Sequence, residues 1–162
     1  MVQVRLVTNI GELWIELYEK EAPKTCYNFV KLCKLKYYHW CIFHNVQRDF
    51  IAQTGDPSGT GTGGQSFEGV IKGKKEPVYL ADEISKTRKH LSRGTVGMVK
   101  AGKDMNASQF YITLSERRLD YLDGRYTIFG QVVAGLDILD RINKTFLDDK
   151  GRPLEDIYIR HT

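Results

Sequence analysis

The chain opens on two short alternations. Val2, Val4 and Leu6 share one face of an extended segment, and Leu13, Ile15 and Leu17 share one face of the next. A period of two marks strands with one buried side. The stretch "TNIGE" lies between them as a turn, so the start of the chain is predicted as a β-hairpin. The period then lengthens. In "EAPKTCYNFVKLCKLKYY", Cys26, Phe29, Val30 and Cys33 recur at i, i+3, i+4 and i+7, which is the stripe of an amphipathic helix. Pro23 suits the first turn of that helix. Six short strand candidates follow: Cys41–Val46, Phe50–Gln53, Thr95–Lys100, Gln109–Leu114, Thr127–Val133 and Ile157–Ile159. Each is rich in β-branched or aromatic residues and bounded by Gly, Asp or Pro. A second helix is predicted at Leu136–Lys144, with Leu136, Leu139 and Ile142 on one face. Residues 55–94 carry little periodicity, and a loop of that length is functional or well tied down. About eight short strands and two helices imply a mainly β fold, a barrel whose open ends the helices cover.

Composition narrows this further. With 162 residues, 41% apolar and 27% charged, the chain is expected to fold as one globular domain over residues 1–162. Its apolar runs are a few residues long, too short to span a membrane. The first residues lack a basic segment followed by an apolar one, so no signal peptide is expected. Cys26, Cys33 and Cys41 are odd in number and form no C-x-x-C, which argues against a disulfide framework and a zinc site. They are expected as reduced thiols in an intracellular protein. The net charge of +4 is uneven: residues 71–104 hold nine Lys/Arg and four Asp/Glu. That stretch has almost no aromatics for stacking bases, so it reads as a solvated loop surface rather than an RNA contact.

The candidate chemistry is mostly negative. Gly59, Gly61 and Gly64 in "HNVQRDFIAQTGDPSGTGTGG" satisfy G-x-G-x-x-G. A dinucleotide site needs a helix next, and "QSFEGVIKGKK" has no helical period. A Walker loop needs Gly-Lys-Ser/Thr, which is missing. These glycines fit a tight turn or a close backbone approach instead. There is no G-x-S-x-G, and His39, His44, His90 and His161 have no spacing of a metal pair or a triad. Asp120 and Asp123 flank the turn "LDYLDGRY" and read as turn residues. What remains is a set of strand-borne apolar and amide residues, Phe50, Gln53, Met98, Gln109, Tyr111, Tyr121 and Leu122, which would suit an apolar peptide pocket.

Taken together, "EAPKTCYNFVKLC", "FHNVQRDFIAQTGDPSGTGTGG", "GTVGMVKAGKDMNASQFYIT" and "LDYLDGRYTIFGQVVAGLDILDRI" resemble four ordered blocks of the cyclophilins, the peptidyl-prolyl cis-trans isomerases. The resemblance runs essentially the whole chain. It implies a closed eight-stranded antiparallel β-barrel capped by two α-helices, no cofactor, no metal, and proline-containing peptides or proteins as substrates. By resemblance, Phe50, Ile51, Gln53, Gly61, Ala101, Gln109, Tyr111 and Leu122 match the family's proline pocket and peptide groove. Phe50 and Gln53 are also implied in catalysis. Tyr121 stands where many members have tryptophan, a change that bears on cyclosporin binding. Tyr126 stands where many have histidine, and Lys100 where an asparagine usually meets the peptide backbone. The family's catalytic arginine falls at Asn45. Arg48, three residues on, should face the opposite side of the strand and is not expected to replace it. Weak isomerase activity is therefore expected, or a non-catalytic peptide-binding or scaffold module. "KLCKLKYY", "HNVQRDF" and "IYIRHT" are most similar to the N-terminal domain of nuclear cyclophilins that carry an RNA-recognition motif. That subgroup implies a nuclear protein contacting spliceosomal or other RNA-processing proteins, and a chain that is a fragment or a short relative; a monomer is the default expectation, which the sequence itself does not specify.

Overall fold

A computed structural model describes residues 1–162. The predicted hairpin is present as β1 (Gln3–Thr8) and β2 (Gly11–Leu17). Leu6 faces Leu13 and Val4 faces Ile15 across the pair, and all four are buried. Then come α1 (Pro23–Lys34), β3 (Asn45–Gln47), β4 (Ile51–Thr54), α2 (Phe67–Ile71), β5 (Thr95–Lys100) and β6 (Asn106–Thr113). A 3-10 turn (Asp120–Leu122), β7 (Ile128–Ala134), α3 (Leu136–Lys144) and β8 (Ile159–His161) complete the order. No helix is long and apolar enough to cross a membrane.

All eight strands form one antiparallel sheet in the order β3-β4-β6-β5-β7-β2-β1-β8. The curled sheet is closed by a seam rather than a ninth ladder. The residues just before β3 pair with those leading into β8: Ile42 bridges Tyr158. Phe43 N donates to Ile157 O at 2.8 Å and Ile159 N to Cys41 O at 2.9 Å. The interior is filled by alternate residues of every strand together with one face of α1. Phe29 of α1 sits in an aromatic cluster, with ring centroids 5.4, 5.2 and 5.1 Å from Tyr38, Phe110 and Phe129.

The structure differs from the sequence expectation at three points. There are three helices, not two. α2 is five residues with Gly69 at its centre, too short to show a helical period, and is started by the Ser66 hydroxyl accepting from Gly69 N at 3.2 Å. Leu136 stands 40% exposed at the first turn of α3, and Ile138 takes its place beside Leu139 and Ile142 in the core. Cys41–Phe43 belong to the seam, leaving β3 only three residues.

The three cysteines are free thiols, Cys26 and Cys41 buried and Cys33 half-buried. Burial pushes them up to about 12, 12 and 11 respectively, which favours the protonated thiol over the nucleophilic thiolate.

The long excursion is tied down by side chains. Glu83 accepts from Thr25 N and Thr25 Oγ1, both at 2.7 Å. Gln65 accepts from Val78 N at 2.8 Å and donates to Glu76 O at 2.9 Å. The glycine run wraps around Asp56, which is fully buried. Its carboxylate accepts from Ser58 N and Oγ at 2.9 and 2.7 Å, and from Gly61 N and Gly63 N at 2.8 and 3.0 Å. A Cβ on Gly63 would lie 2.3 Å from Asp56 Oδ1, so this loop needs glycine to approach an internal anion. The backbone donors that a phosphate would require are already used.

Candidate functional site

The site is a row of outward-facing residues across four strands. Strand alternation puts Val46, Ala52 and Phe110 in the core and leaves Asn45, Gln53 and Tyr111 on the other face. Asn45 pairs with Gln53, Gln53 with Tyr111, and Tyr111 with Gly97. Gly97 makes room for its neighbour, since a Cβ there would fall 2.3 Å from the Tyr111 hydroxyl.

Above this row lies a cavity of about 150 Å³ lined by Phe50, Ile51, Gln53, Val99, Lys100, Tyr111, Leu122 and Tyr126. Tyr111 forms one wall, and the Tyr126 ring meets it edge-on at 5.8 Å. Leu122 arrives from the 3-10 turn. Tyr121, on the same turn, is 59% exposed and stacks on Phe50 at 6.2 Å. The cavity is apolar apart from the Gln53 amide, and Lys100 lines it with its aliphatic stem. The Lys100 ammonium is paired with Asp82 Oδ2 at 3.0 Å and lies 5.4 Å from the centroid of the Tyr126 ring.

The amides form one chain. Asn45 Nδ2 donates to Gln53 Oε1 at 3.1 Å, and Gln53 Nε2 donates to Gln109 Oε1 at 2.9 Å. Gln109 Nε2 donates to Gly61 O at 3.0 Å and Gly63 O at 2.8 Å. The glycine loop thereby fixes the orientation of the amides facing the cavity. One Asn45 N–H remains uncommitted.

Of the residues expected from sequence, Met98 is a core residue, 1% exposed, because strand alternation turns it inward, and the others are divided among adjoining hollows. Phe50, Ile51, Gln53, Lys100, Tyr111, Leu122 and Tyr126 line the apolar cavity. Gly61, Ala101 and Gln109 line a second hollow of about 160 Å³, shared with Val99, Lys100, Pro77 and Tyr79. Asn45 faces a polar hollow on the other side of Gln53, with His44, Thr60, Asp148, Lys150 and Arg152. Tyr121 separates the apolar cavity from a charged cleft holding Arg93, Arg117, Arg118 and Lys144. Arg48 lies elsewhere: its guanidinium donates to Asn143 O at 3.0 Å and Thr145 O at 2.8 Å at the end of α3.

Sequence reasoning missed several participants. Val99 lies between two named residues, Met98 and Lys100, inside the block "GTVGMVKAGKDMNASQFYIT" but was not itself singled out. Lys150 and Arg152 reach the Asn45 hollow from a loop a hundred residues away, and Arg152 is held by Asp156 at 3.0 Å. His90, read as an isolated histidine, lies beneath the cavity wall, with Nε2 2.7 Å from the Tyr111 hydroxyl. Asp123, read as a turn residue, accepts from the other side of that ring at 2.8 Å. Burial alone would raise the Asp123 carboxyl, but the His90 donors and the Arg118 charge outweigh it and hold it below the usual range.

The comparisons with known proteins agree with this geometry. The family model described as "Cyclophilin type peptidyl-prolyl cis-trans isomerase/CLD" matches residues 3–162. The chain is 50% identical over 161 residues to peptidyl-prolyl cis-trans isomerase CYP59 of Arabidopsis thaliana, covering 99% of this chain and 31% of that protein. It is 51% identical over 159 residues to human peptidyl-prolyl cis-trans isomerase-like 4, covering 98% and 32%. The chain thus spans about a third of the length of these curated relatives. Among solved structures, it is similar to a Cryptosporidium parvum cyclophilin type peptidyl-prolyl cis-trans isomerase described in the presence of the dipeptide Ala-Pro. That match has a TM-score of 0.90 and 36% identity, covering 99% of this chain and 96% of that one.

Proposed function

Because the chain belongs to the cyclophilin-type peptidyl-prolyl cis-trans isomerase family, we propose that its apolar cavity holds the proline ring of X-Pro segments in proteins and isomerises them weakly. The single observation carrying this is the pairing of an intact cavity with Asn45 at the donor position.

The barrier to X-Pro rotation is about 18–20 kcal/mol, because resonance gives the C–N bond double-bond character. Lowering it requires no nucleophile and no proton transfer. In the twisted transition state the proline nitrogen regains a lone pair. A donor aimed at that nitrogen favours the twisted state, and an apolar cavity around the ring adds orientation and desolvation. Phe50, Tyr111 and Leu122 supply the cavity here, and Gln53 and Gln109 supply amides for the peptide backbone. Asn45 keeps one free N–H, but it is uncharged and short, and it opens on the polar hollow beyond Gln53 rather than into the apolar cavity. Charge-assisted hydrogen bonds are roughly twice as strong as neutral ones. Loss of one preorganised donor costs about 2.7–4 kcal/mol, or about 10²–10³ in rate.

The engagement of the Asn45 amide by Gln53 supports a second reading, a peptide-gripping module with no turnover. On the resemblance to nuclear cyclophilins, such a module would work within an RNA-processing assembly. NMR exchange spectroscopy on an Ala-Pro peptide separates the two. Slow catalysed exchange that rises by about 10²-fold in Asn45→Arg supports the weak isomerase. Shifted peptide resonances without exchange support the module. Rapid exchange by the wild-type protein would refute the donor argument.

A further inference from the structure

Beneath the cavity, one imidazole joins its two walls. Tyr111 belongs to β6, whereas Leu122 and Tyr121 belong to the 3-10 turn that Asp123 terminates. His90 is 1% exposed, and both of its ring nitrogens are used. Nδ1 lies 2.8 Å from Asp123 Oδ1, and the His90 backbone N donates to the same oxygen at 2.7 Å. Nε2 lies 2.7 Å from the Tyr111 hydroxyl, with the two rings stacked at 18° and 5.9 Å. The His90 carbonyl also accepts from Leu119 N at 2.9 Å, at the entrance to the turn.

For a neutral imidazole, the partners fix the proton positions. An ionised carboxylate accepts only, so Nδ1 carries the proton toward Asp123. Nε2 then offers a lone pair, and the Tyr111 O–H donates to it. The hydroxyl proton is thereby drawn away from the cavity, and the ligand meets only the face of the ring. Gly97 provides the space this phenol occupies.

We propose that His90 is a positioning residue for the proline pocket, with Asp123 and Tyr111 as its two anchors. It sets the separation of the Tyr111 and Leu122 walls and keeps the Tyr111 hydroxyl out of the site. This rests on the reading of the cavity as a proline pocket.

The test combines proton–nitrogen correlation with peptide binding. Long-range ¹⁵N–¹H NMR is expected to show His90 protonated on Nδ1 and bare on Nε2, and the opposite tautomer overturns the proposal. An Ala-Pro peptide is then titrated into wild type, His90→Leu, His90→Gln, Tyr111→Phe and the His90→Leu/Tyr111→Phe double variant. Losing the Tyr111–His90 bond should weaken binding about tenfold in each of His90→Leu and Tyr111→Phe. The double variant should be no weaker than either. His90→Gln keeps an acceptor for the hydroxyl and should recover most of the affinity. A role confined to general stability predicts instead that His90→Leu costs the same with or without the Tyr111 hydroxyl, and that result overturns the proposal. If His90→Leu does not fold, Tyr111→Phe decides alone, and wild-type affinity there refutes it. A wild-type protein that leaves the peptide resonances unmoved refutes the pocket reading itself, whereas binding that is indifferent to His90 refutes only this inference.

Discussion

Asp56 shows how a single buried charge can organise a functional surface. Burial alone would raise its carboxyl, but donors from Ser58, Gly63 and Gly61 outweigh that and hold it below the usual carboxylate range. Gly61 and Gly63 in turn present the carbonyls that anchor Gln109, and Gln109 orients Gln53. Asp56→Ala should therefore act at two levels. It leaves buried backbone donors without an acceptor and should lower unfolding free energy by about 3 kcal/mol, read by urea denaturation. It should also weaken Ala-Pro binding, although Asp56 lies outside the cavity. The pH dependence follows from the same shift. A carboxyl with a lower value in the folded than the unfolded state contributes stability that is complete above its unfolded value, about 3.9. That contribution is lost as pH falls through the folded value. Asp82 and Asp123 are lowered in the same direction. The melting temperature should therefore be flat in these groups above about pH 5 and fall steeply below about pH 4. In Asp56→Ala the acid fall should be shallower.

At the scale of elements, the legible parts were those whose own periodicity marked them. The β1–β2 alternation and the Cys26–Phe29 stripe of α1 state their buried face in the chain itself, because burial of one side selects for it. Phe29 illustrates the energetic weight of that stripe: with three aromatic rings around it and no exposure, Phe29→Ala should cost about 3–5 kcal/mol, measured by thermal or chemical unfolding. α2 was not legible, because five residues around a glycine carry no period and the helix depends on the Ser66 cap and on packing near α1. The residues alone suggested an apolar peptide pocket around Phe50, Gln53, Gln109, Tyr111 and Leu122, and the family resemblance added Asn45, Ile51, Gly61, Lys100, Ala101 and Tyr126. Spacing could not show that Asn45, Gln53 and Tyr111 form one row, since three separate strands bring them together. Nor could it show that His90 meets both Tyr111 and Asp123. Those contacts span 21 and 33 residues of sequence, and a lone histidine carries no signal of what will lie on either side of its ring.

For the whole molecule, the weak place is where the curled sheet meets itself. Elsewhere neighbouring strands are held by ladders, as short as two residue pairs between β1 and β8, but the seam rests on the single Ile42–Tyr158 bridge and the backbone bonds around it. The chain segments that meet there are more than a hundred residues apart, so closure carries the loop entropy of nearly the whole fold. Trp40 lies over this seam, 70% exposed, stacked on Tyr158 at 5.4 Å and 30°. Its backbone N donates to Ile159 O at 2.7 Å. A large aromatic so exposed contributes little to the interior, so its effect should be local to the closure. Native-state hydrogen exchange should show the Phe43 and Ile159 amides opening at lower free energy than amides of the β5–β6 ladder, as a unit that parts before the sheet unfolds. Trp40→Ala removes the stacking and should lower the opening free energy of those seam amides by about 0.5–1.5 kcal/mol. The central ladder should keep its protection. Because the row of Asn45, Gln53 and Tyr111 runs from β3 beside the seam into that ladder, Ala-Pro binding should slow exchange at the seam in both proteins. Equal protection of seam and ladder amides in the wild-type protein would show that closure is as firm as the strands it joins, and would remove the basis for this prediction.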